Sequence, residues 1–319
     1  MKIVAVRYRN VFLFSAVVFL LFLAYEFLIA GAEEPLELVQ GVKDLGTFCS
    51  KVAEDCYFVK QEVKRDKSVL RYIESEKYSR DGMFKMTIVP LEVESNKVVI
   101  NRKSLSSQYI SVMATFPYAI GALRFDAPGQ KVLSIGLGGG SLDMFLRITR
   151  PELDITVVEL DPTILEMATR WFGVVEDEKR RTIVADGNDF LEKAALKGDT
   201  FDVIALDACN SGDDVHRCPA FAFYAAETME NTKKAMSDDG VFILNVLASN
   251  VSELAHVVKE HFATCFISQM WSSNIVIACL KKRKEMTSYY SSMFHVQFGT
   301  AMAKQGLDPV IGQIVFSQF

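Results

Sequence analysis

The chain has 319 residues, half of them hydrophobic, and a formal net charge of −5. That length and apolar content suffice for one sizeable core with a small second unit. The acidic balance, and the lack of any basic run early in the folded part, argue against binding nucleic acid by phosphate neutralisation; the one basic cluster, Lys281 to Lys284, reads as a solvated strand end.

The N-terminus carries Lys2, Arg7 and Arg9, followed by the apolar run Val11 to Ala32, broken only by Ser15 and Glu26. As a helix rising about 1.5 Å per residue, this run reaches roughly 33 Å, enough to cross a bilayer. Basic residues before it and Glu33 and Glu34 after it orient its start toward the cytosol. Two readings lead, a membrane anchor through residues 11–32 or a signal peptide cleaved after the small residues Ala30-Gly31-Ala32, over a buried soluble helix, which the lack of a polar face disfavours. Both put the body in the secretory lumen, as a single-pass type II protein, or outside the cell.

All six cysteines follow that segment: Cys49, Cys56, Cys209, Cys218, Cys265 and Cys279. No C-x-x-C occurs, so no zinc or thioredoxin-type site is expected. Six cysteines in an oxidising compartment suggest disulfides, with 15 connectivities open. Pairing "ATCFISQMW" with "NIVIACL" about Ser272-Ser273 sets Cys265 opposite Cys279, so a cross-strand bridge is expected there. Cys209–Cys218 would close a loop and Cys49–Cys56 a shorter one. The alternative is six buried free thiols.

Residues 33–56 read as a polar stalk or irregular lead-in. From Cys56 to Ile100, "CYFVKQEV", "SVLRYIES", "MFKMTIVPLEV" and "KVVI" alternate with turn signals and predict a small antiparallel sheet. Ser104 to Leu123 predicts a helix stopped or kinked near Pro117. From Lys131 the rhythm becomes strand, helix, strand, helix. The strands are "KVLSIGL", "DITVVEL", "RTIVAD", "FDVIALD" and "GVFILNVL", with helices over Ser141–Arg150, Thr163–Trp171, Asn188–Leu196 and Phe221–Met236. Continuous apolar strands between amphipathic helices predict a doubly wound α/β sheet covered on both faces, with the cysteine hairpin adding antiparallel strands. The expected boundaries are 1–32 for the membrane segment, 33–103 for the stalk and β-rich unit, 104–285 for the main domain and 286–319 for a C-terminal tail.

In such a sheet, ligands sit at the carboxyl ends of the strands. Four motifs fall there. Gly136, Gly138, Gly139 and Gly140 follow the first strand, where missing side chains let a ligand approach and leave amides free at a helix N-terminus. Glu159 ends the second strand, 23 residues after Gly136, placed to accept from ribose hydroxyls. Asp186, with Gly187, ends the third and suits an adenine amino group. Asp207 ends the fourth, beside the reaction centre. Ser141 breaks the G-x-G-x-x-G of a dinucleotide site. The ordered set instead points to S-adenosylmethionine or its decarboxylated relative. The structural alternative makes Asp161 and Asp186 helix N-caps.

"VLSIGLGGGSLDMFL", "VVELDPTILEMATRWFGV", "IVADGNDFL" and "CPAFAFYAAETMENTKKAMSDDGVFILNV" resemble the spermidine-synthase-like methyltransferases, and among them the C-terminal domain of the elongation-factor-1-alpha dual methyltransferase family, from roughly Gln108 to Leu280. The resemblance implies a mostly parallel seven-stranded sheet of the class I methyltransferase kind. It also implies an S-adenosylmethionine pocket of Gly136, Gly138, Gly140, Glu159, Asp186, Gly187 and Asp207. Two departures stand out. The polyamine synthases carry G-G-G-D-G-G after the first strand, and Gly139 holds the aspartate position here. They carry D-S-S-D after the fourth strand, and here the stretch is Asp207-Ala208-Cys209-Asn210. With both substrate aspartates replaced, a dicationic acceptor loses its anionic partners and its base.

Methyl transfer to an unknown acceptor is therefore the leading expectation, with Asp207, Asn210 and Asp213 as candidate catalytic side chains and the Asn210–Cys218 loop facing the acceptor. Aminopropyl transfer using Asp213 or Asp214, and a non-catalytic lumenal binding protein on this fold, are the alternatives. No metal site is expected, and a homodimer is retained as an expectation. Asn250-Val251-Ser252 is a glycosylation sequon.

Overall fold

The computed structural model describes residues 38–77, 85–212, 215–247, 251–270, 273–284, 288–307 and 314–319. The apolar segment 11–32 and Asn250 of the sequon lie outside them. No helix among the described residues is long and apolar enough to cross a membrane. Contacts divide the chain into a small unit of residues 1–39 with 93–99, and a large unit of residues 40–92 with 100–319.

The chain opens with strands β1 (Gly41–Ser50), β2 (Asp55–Val63), β3 (Val69–Ser75), β4 (Thr87–Glu94) and β5 (Lys97–Ile100), in sheet order β1-β2-β3-β4-β5. The stalk reading of 33–56 is thereby corrected: β1 pairs with β2 from Gly41↔Val63 to Ser50↔Asp55, with a bulge between Asp44 and Gly46. Its polar residues belong to an edge strand whose first four positions are exposed. Cys49 faces Cys56 in this register and the two form a disulfide.

Helix α1 (Gln108–Ile120) passes through Pro117 and ends at Gly121, whose φ of +89° supplies the left-handed cap. The helix does not stop at the proline but ends three residues beyond it. Every residue from Ile110 to Ile120 is buried, most of them apolar or aromatic, and packing holds the turn that proline weakens.

The second sheet follows: β6 (Lys131–Ile135), α2 (Ser141–Thr149), β7 (Asp154–Glu159), α3 (Pro162–Phe172), β8 (Arg180–Val184), α4 (Gly187–Lys197), β9 (Phe201–Leu206), the short hairpin β10 (Asn210–Gly212) and β11 (Val215–Arg217), a 3-10 turn Phe221–Tyr224, α5 (Ala226–Ala235), β12 (Met236–Leu247), α6 (Val251–His261), β13 (Thr264–Gln269), β14 (Asn274–Leu280), α7 (Ser288–Lys304) and β15 (Val315–Gln318). The sheet order is β15-β13-β14-β12-β9-β6-β7-β8. β12, β9, β6, β7 and β8 run parallel; β14, β13 and β15 add antiparallel pairs. Among the described residues the sheet is thus mixed and eight-stranded, not seven-stranded.

The additional strand comes from the C-terminal segment, which is no tail. Phe294 and Phe298 of α7 and Phe316 of β15 are buried against Phe116 of α1 and Phe266 of β13, with the Phe116–Phe294 centroids 5.2 Å apart. Neighbouring strand residues feed opposite cores: Val132, Val157 and Ile243 one, Leu133, Val158 and Leu244 the other. That alternation is what covering a sheet on both faces requires. Cys265↔Cys279 holds as expected, and Cys209–Cys218 is also bridged.

Candidate functional site

Because β6, β7, β8 and β9 are parallel, their carboxyl ends share one edge of the sheet. The glycine loop joins β6 to α2 there. Gly136, Gly138 and Gly140 have φ of +96°, +53° and +68°, a region costly for other residues. A Cβ on Gly136 would stand 2.4 Å from the backbone oxygen of Asp207, one on Gly138 2.9 Å from Thr87 Oγ1, and one on Gly140 2.5 Å from Val174 Cγ2. Gly139 has ordinary φ, but its Cβ would stand 2.5 Å from Thr87 Cγ2 and 3.0 Å from the Phe172 ring. Protein atoms therefore occupy the direction in which each of these glycines would carry a side chain.

The loop amides, expected to be free, turn inward. Gly136 N donates to Val158 O (2.8 Å), Leu137 N to Glu159 Oε2 (2.9 Å), Gly139 N to Thr87 Oγ1 (3.2 Å) and Gly140 N to Leu137 O (2.8 Å). From outside the loop, the Arg102 guanidinium donates to the carbonyls of Gly139 (3.1 Å) and Gly140 (3.0 Å). Burial pushes the Arg102 pKa down to about 10, with Asp143 opposing and Arg180 adding to the shift.

Glu159 is buried at the end of β7. Its Oε1 accepts from Asp161 N (2.9 Å) and its Oε2 from Leu137 N. Burial raises its pKa, and these backbone N–H groups partly offset the rise. Asp161 caps α3 through Thr163 N (2.9 Å), ahead of Pro162 in the first helical turn. Its Oδ2 is buried with no hydrogen-bond partner among the described residues. Asp186 is exposed and caps α4, accepting from Asn188 N (2.7 Å) and Asp189 N (3.4 Å). Gly187 is closed in by Ile135 and Phe223. Both cap roles are realised, and Asp186 spends one oxygen, Oδ1, on its own helix.

Asp207 follows β9. Its Oδ1 accepts from Asn245 Nδ2 (2.7 Å) and its Oδ2 from the Tyr109 hydroxyl (3.2 Å). Burial raises the Asp207 pKa, and the two donors partly counter it. Burial likewise holds the Tyr109 phenol well above its ordinary 10.0, with Asp207 adding to the rise. Asn245 Oδ1 in turn accepts from Asn274 Nδ2 (2.8 Å). Sequence reasoning missed Tyr109 and Asn245. Asn245 carried a signal, being the one amide in the apolar run "GVFILNVL" and so needing a buried partner. Tyr109 carried none, sitting in a helix read as core.

Asn210 begins β10, two residues beyond Ala208. Its side chain, and all of Asp213, lie outside what the structure describes. The hairpin's base is fixed by Cys209–Cys218, by Ala220 N to Ala208 O (2.8 Å) and by Leu247 N to Cys218 O (3.0 Å). A separate cavity of about 350 Å³ lies between β1 and α3, lined by residues including Gly46, Cys49, Glu166, Arg170 and Trp171, and no candidate site residue borders it.

Comparison with known proteins fits this geometry. The mouse eEF1A lysine and N-terminal methyltransferase is 37% identical over 122 residues, covering 38% of this chain and 18% of that protein. The polyamine aminopropyltransferase of Vibrio vulnificus is 31% identical over 138 residues, covering 42% of this chain and 44% of that protein. The chain spans only about a fifth to a quarter of the length of the eEF1A methyltransferases it matches. Human methyltransferase-like protein 13, solved in complex with SAH, superposes with a TM-score of 0.57 at 24% identity, covering 64% of this chain and 94% of that one. A probable spermidine synthase from Corynebacterium glutamicum gives 0.62 at 14% identity, covering 88% and 91%. At these identities the two structures establish the fold. The spermine/spermidine synthase domain model matches residues 118–290, a stretch that takes in the glycine loop, all three strand-end acids and the disulfide-closed hairpin. With more than half of its length so matched, the chain belongs to the spermine/spermidine synthase domain family.

Proposed function

We propose that this chain is an S-adenosylmethionine-dependent methyltransferase with a protein acceptor. The observation that carries this reading is the packing at position 139. Thr87 Cγ2 and Phe172 occupy the space that a side chain there would need. The loop therefore has no room for the aspartate found at that position in polyamine synthases, which disfavours aminopropyl transfer.

The site suits an adenosyl group. The buried Asp161 Oδ2 lacks a partner among the described residues and stands two residues from Glu159, whose oxygens each accept a backbone N–H and retain capacity to accept more. Asp186 presents an exposed carboxylate, and Leu160, between the two buried acids in sequence, is 52% exposed. Glu159 and Asp161 would hold ribose hydroxyls, Asp186 an adenine amino group, and Leu160 an apolar ring face. When bound, the cofactor supplies a methyl group already activated on a sulfonium, so the protein needs only to align the acceptor and, where that acceptor is protonated, to remove a proton. Asp207 would take that proton; its burial-raised pKa and the Tyr109 hydroxyl on one of its oxygens support that role.

The three disulfides support maturation in an oxidising compartment, and hence an acceptor met there. The test incubates the full chain with methyl-tritiated S-adenosylmethionine and secretory-pathway proteins, with eEF1A as a second arm and decarboxylated cofactor plus putrescine as a third. Label in protein supports the proposal. Spermidine formation without protein labelling overturns it in favour of aminopropyl transfer, and absence of nucleoside binding at millimolar cofactor overturns it in favour of a binding protein.

A further inference from the structure

Asp207, Asn245 and Asn274 form a chain of side-chain hydrogen bonds from the end of β9 across β12 to the start of β14. Asn245 is 2% exposed, so its amide has no water to fall back on. A buried primary amide can sit in two orientations related by a half-turn. One presents N–H to Asp207 and the other presents the carbonyl oxygen. The first is a charge-assisted hydrogen bond; the second sets oxygen against oxygen. A carboxylate only accepts, so Asp207 itself favours the first orientation, and the neighbour on the other side reinforces it. Asn274 donates its Nδ2 to Asn245 Oδ1, which leaves the Asn245 N–H only toward Asp207.

We propose that Asn245 and Asn274 are positioning residues of the site, with Asn274 reinforcing the orientation in which the Asn245 amide donates to Asp207. This rests on the reading of Asp207 as a site residue. The arrangement holds one Asp207 oxygen toward β12 while Tyr109, from α1, holds the other. Tyr109 is the titratable group facing Asp207. Among the described residues no charged side chain makes a hydrogen bond or ion pair with Asp207.

Donation from Asn245 favours the charged carboxylate, so loss of that donor, or its reversal, moves the Asp207 titration upward. A purely structural role for Asn274 would alter stability and leave that titration in place.

The decisive experiment is a carboxyl carbon-13 NMR titration of aspartate-labelled full chain, with the Asp207 signal assigned by its loss in Asp207→Asn. Asn245→Ala is expected to raise the Asp207 midpoint by about one pH unit, and Asn274→Leu, which keeps size and removes the reinforcing donor, to raise it by a smaller amount in the same direction. An unchanged midpoint in Asn274→Leu overturns the reinforcing role, even if Asn245→Ala shifts; an unchanged midpoint in both overturns the whole relay. Should Asn245→Ala fail to fold, the Asn274→Leu result decides. S-Adenosylhomocysteine affinity of the wild type, measured alongside, separates the two claims: failure to bind sinks the methyltransferase reading, while the titration still decides the relay.

Discussion

Glu159 Oε2 accepts the backbone N–H of Leu137 at 2.9 Å, tying the end of β7 to the glycine loop that follows β6. The other carboxylate oxygen accepts from Asp161 N at 2.9 Å. Both partners are backbone donors that can only donate. Glu159→Gln therefore has no good orientation, since either one sets an amide NH₂ against an N–H. The substitution is expected to cost about 1–3 kcal/mol, the penalty for stranding a buried donor. Chemical denaturation at neutral pH checks this, and a variant as stable as wild type would refute the double-acceptor role.

Asp207 should behave in the opposite way. Burial lifts its pKa above the ordinary 3.8, so the folded chain binds that proton more tightly than the unfolded chain does. Its contribution to stability is complete below the unfolded pKa and is lost as pH rises through the folded value. Asp207→Asn removes the buried charge. Its carbonyl can take the Asn245 donor, and its NH₂ can meet the Tyr109 oxygen, since a phenol also accepts. The variant is expected to melt above wild type at pH 7 to 8, with the gap closing as pH falls toward 4, and to lose methyl transfer. Melting curves across that range test the sign; a gap that widens on acidification would contradict it.

Much of this was legible in the sequence, and the limits have physical causes. The strand-end positions of Glu159 and Asp207 were legible because each follows a run of apolar strand residues, and that of Asp186 because it follows Ile183-Val184-Ala185. The Cys265–Cys279 pairing followed from equal distances to one turn. β1 was missed because Lys43, Asp44 and two glycines give an edge strand the composition of a loop. β15 was missed because four residues carry no period of their own and become a strand only beside β13. The crowding around the glycines was not legible for a similar reason: the atoms that crowd them belong to Thr87, Phe172, Val174 and Asp207, none of them within the loop. Tyr109 and Asn245 meet Asp207 across separations that no local pattern records.

Gly139 offers a clean steric test, because its φ is not in the left-handed region and only crowding opposes a side chain. Gly139→Ala is expected to destabilise by about 1–3 kcal/mol, the usual cost of overpacking. Thr87→Ser deletes the Cγ2 that a new Cβ would strike at 2.5 Å and keeps the Oγ1 that accepts from Gly139 N. The pair should therefore recover part of the loss in a double-mutant cycle. Strict additivity would mean that Thr87 is not the obstacle.

The disulfides should differ in reach. Cys265–Cys279 joins adjacent strands of the large sheet and closes a loop with a sequence separation of 14. Chain-entropy arguments assign such a loop about 3 kcal/mol, and both sulfurs belong to a core shared with α4, α5 and α6. Replacing both by serine is expected to lower the melting temperature of the whole chain. Cys209–Cys218 fastens only the base of the β10–β11 hairpin, whose flanks are already held by Ala220 N to Ala208 O and Leu247 N to Cys218 O. Its double serine variant is expected to raise amide exchange from residue 210 to 217 while β6, β7 and β9 keep their protection. The same variant should impair use of the acceptor more than binding of S-adenosylhomocysteine, because the acids proposed to hold the cofactor are not on the hairpin. Global loss of protection, or an equal loss of cofactor affinity, would show that the bridge supports the fold and not the acceptor loop.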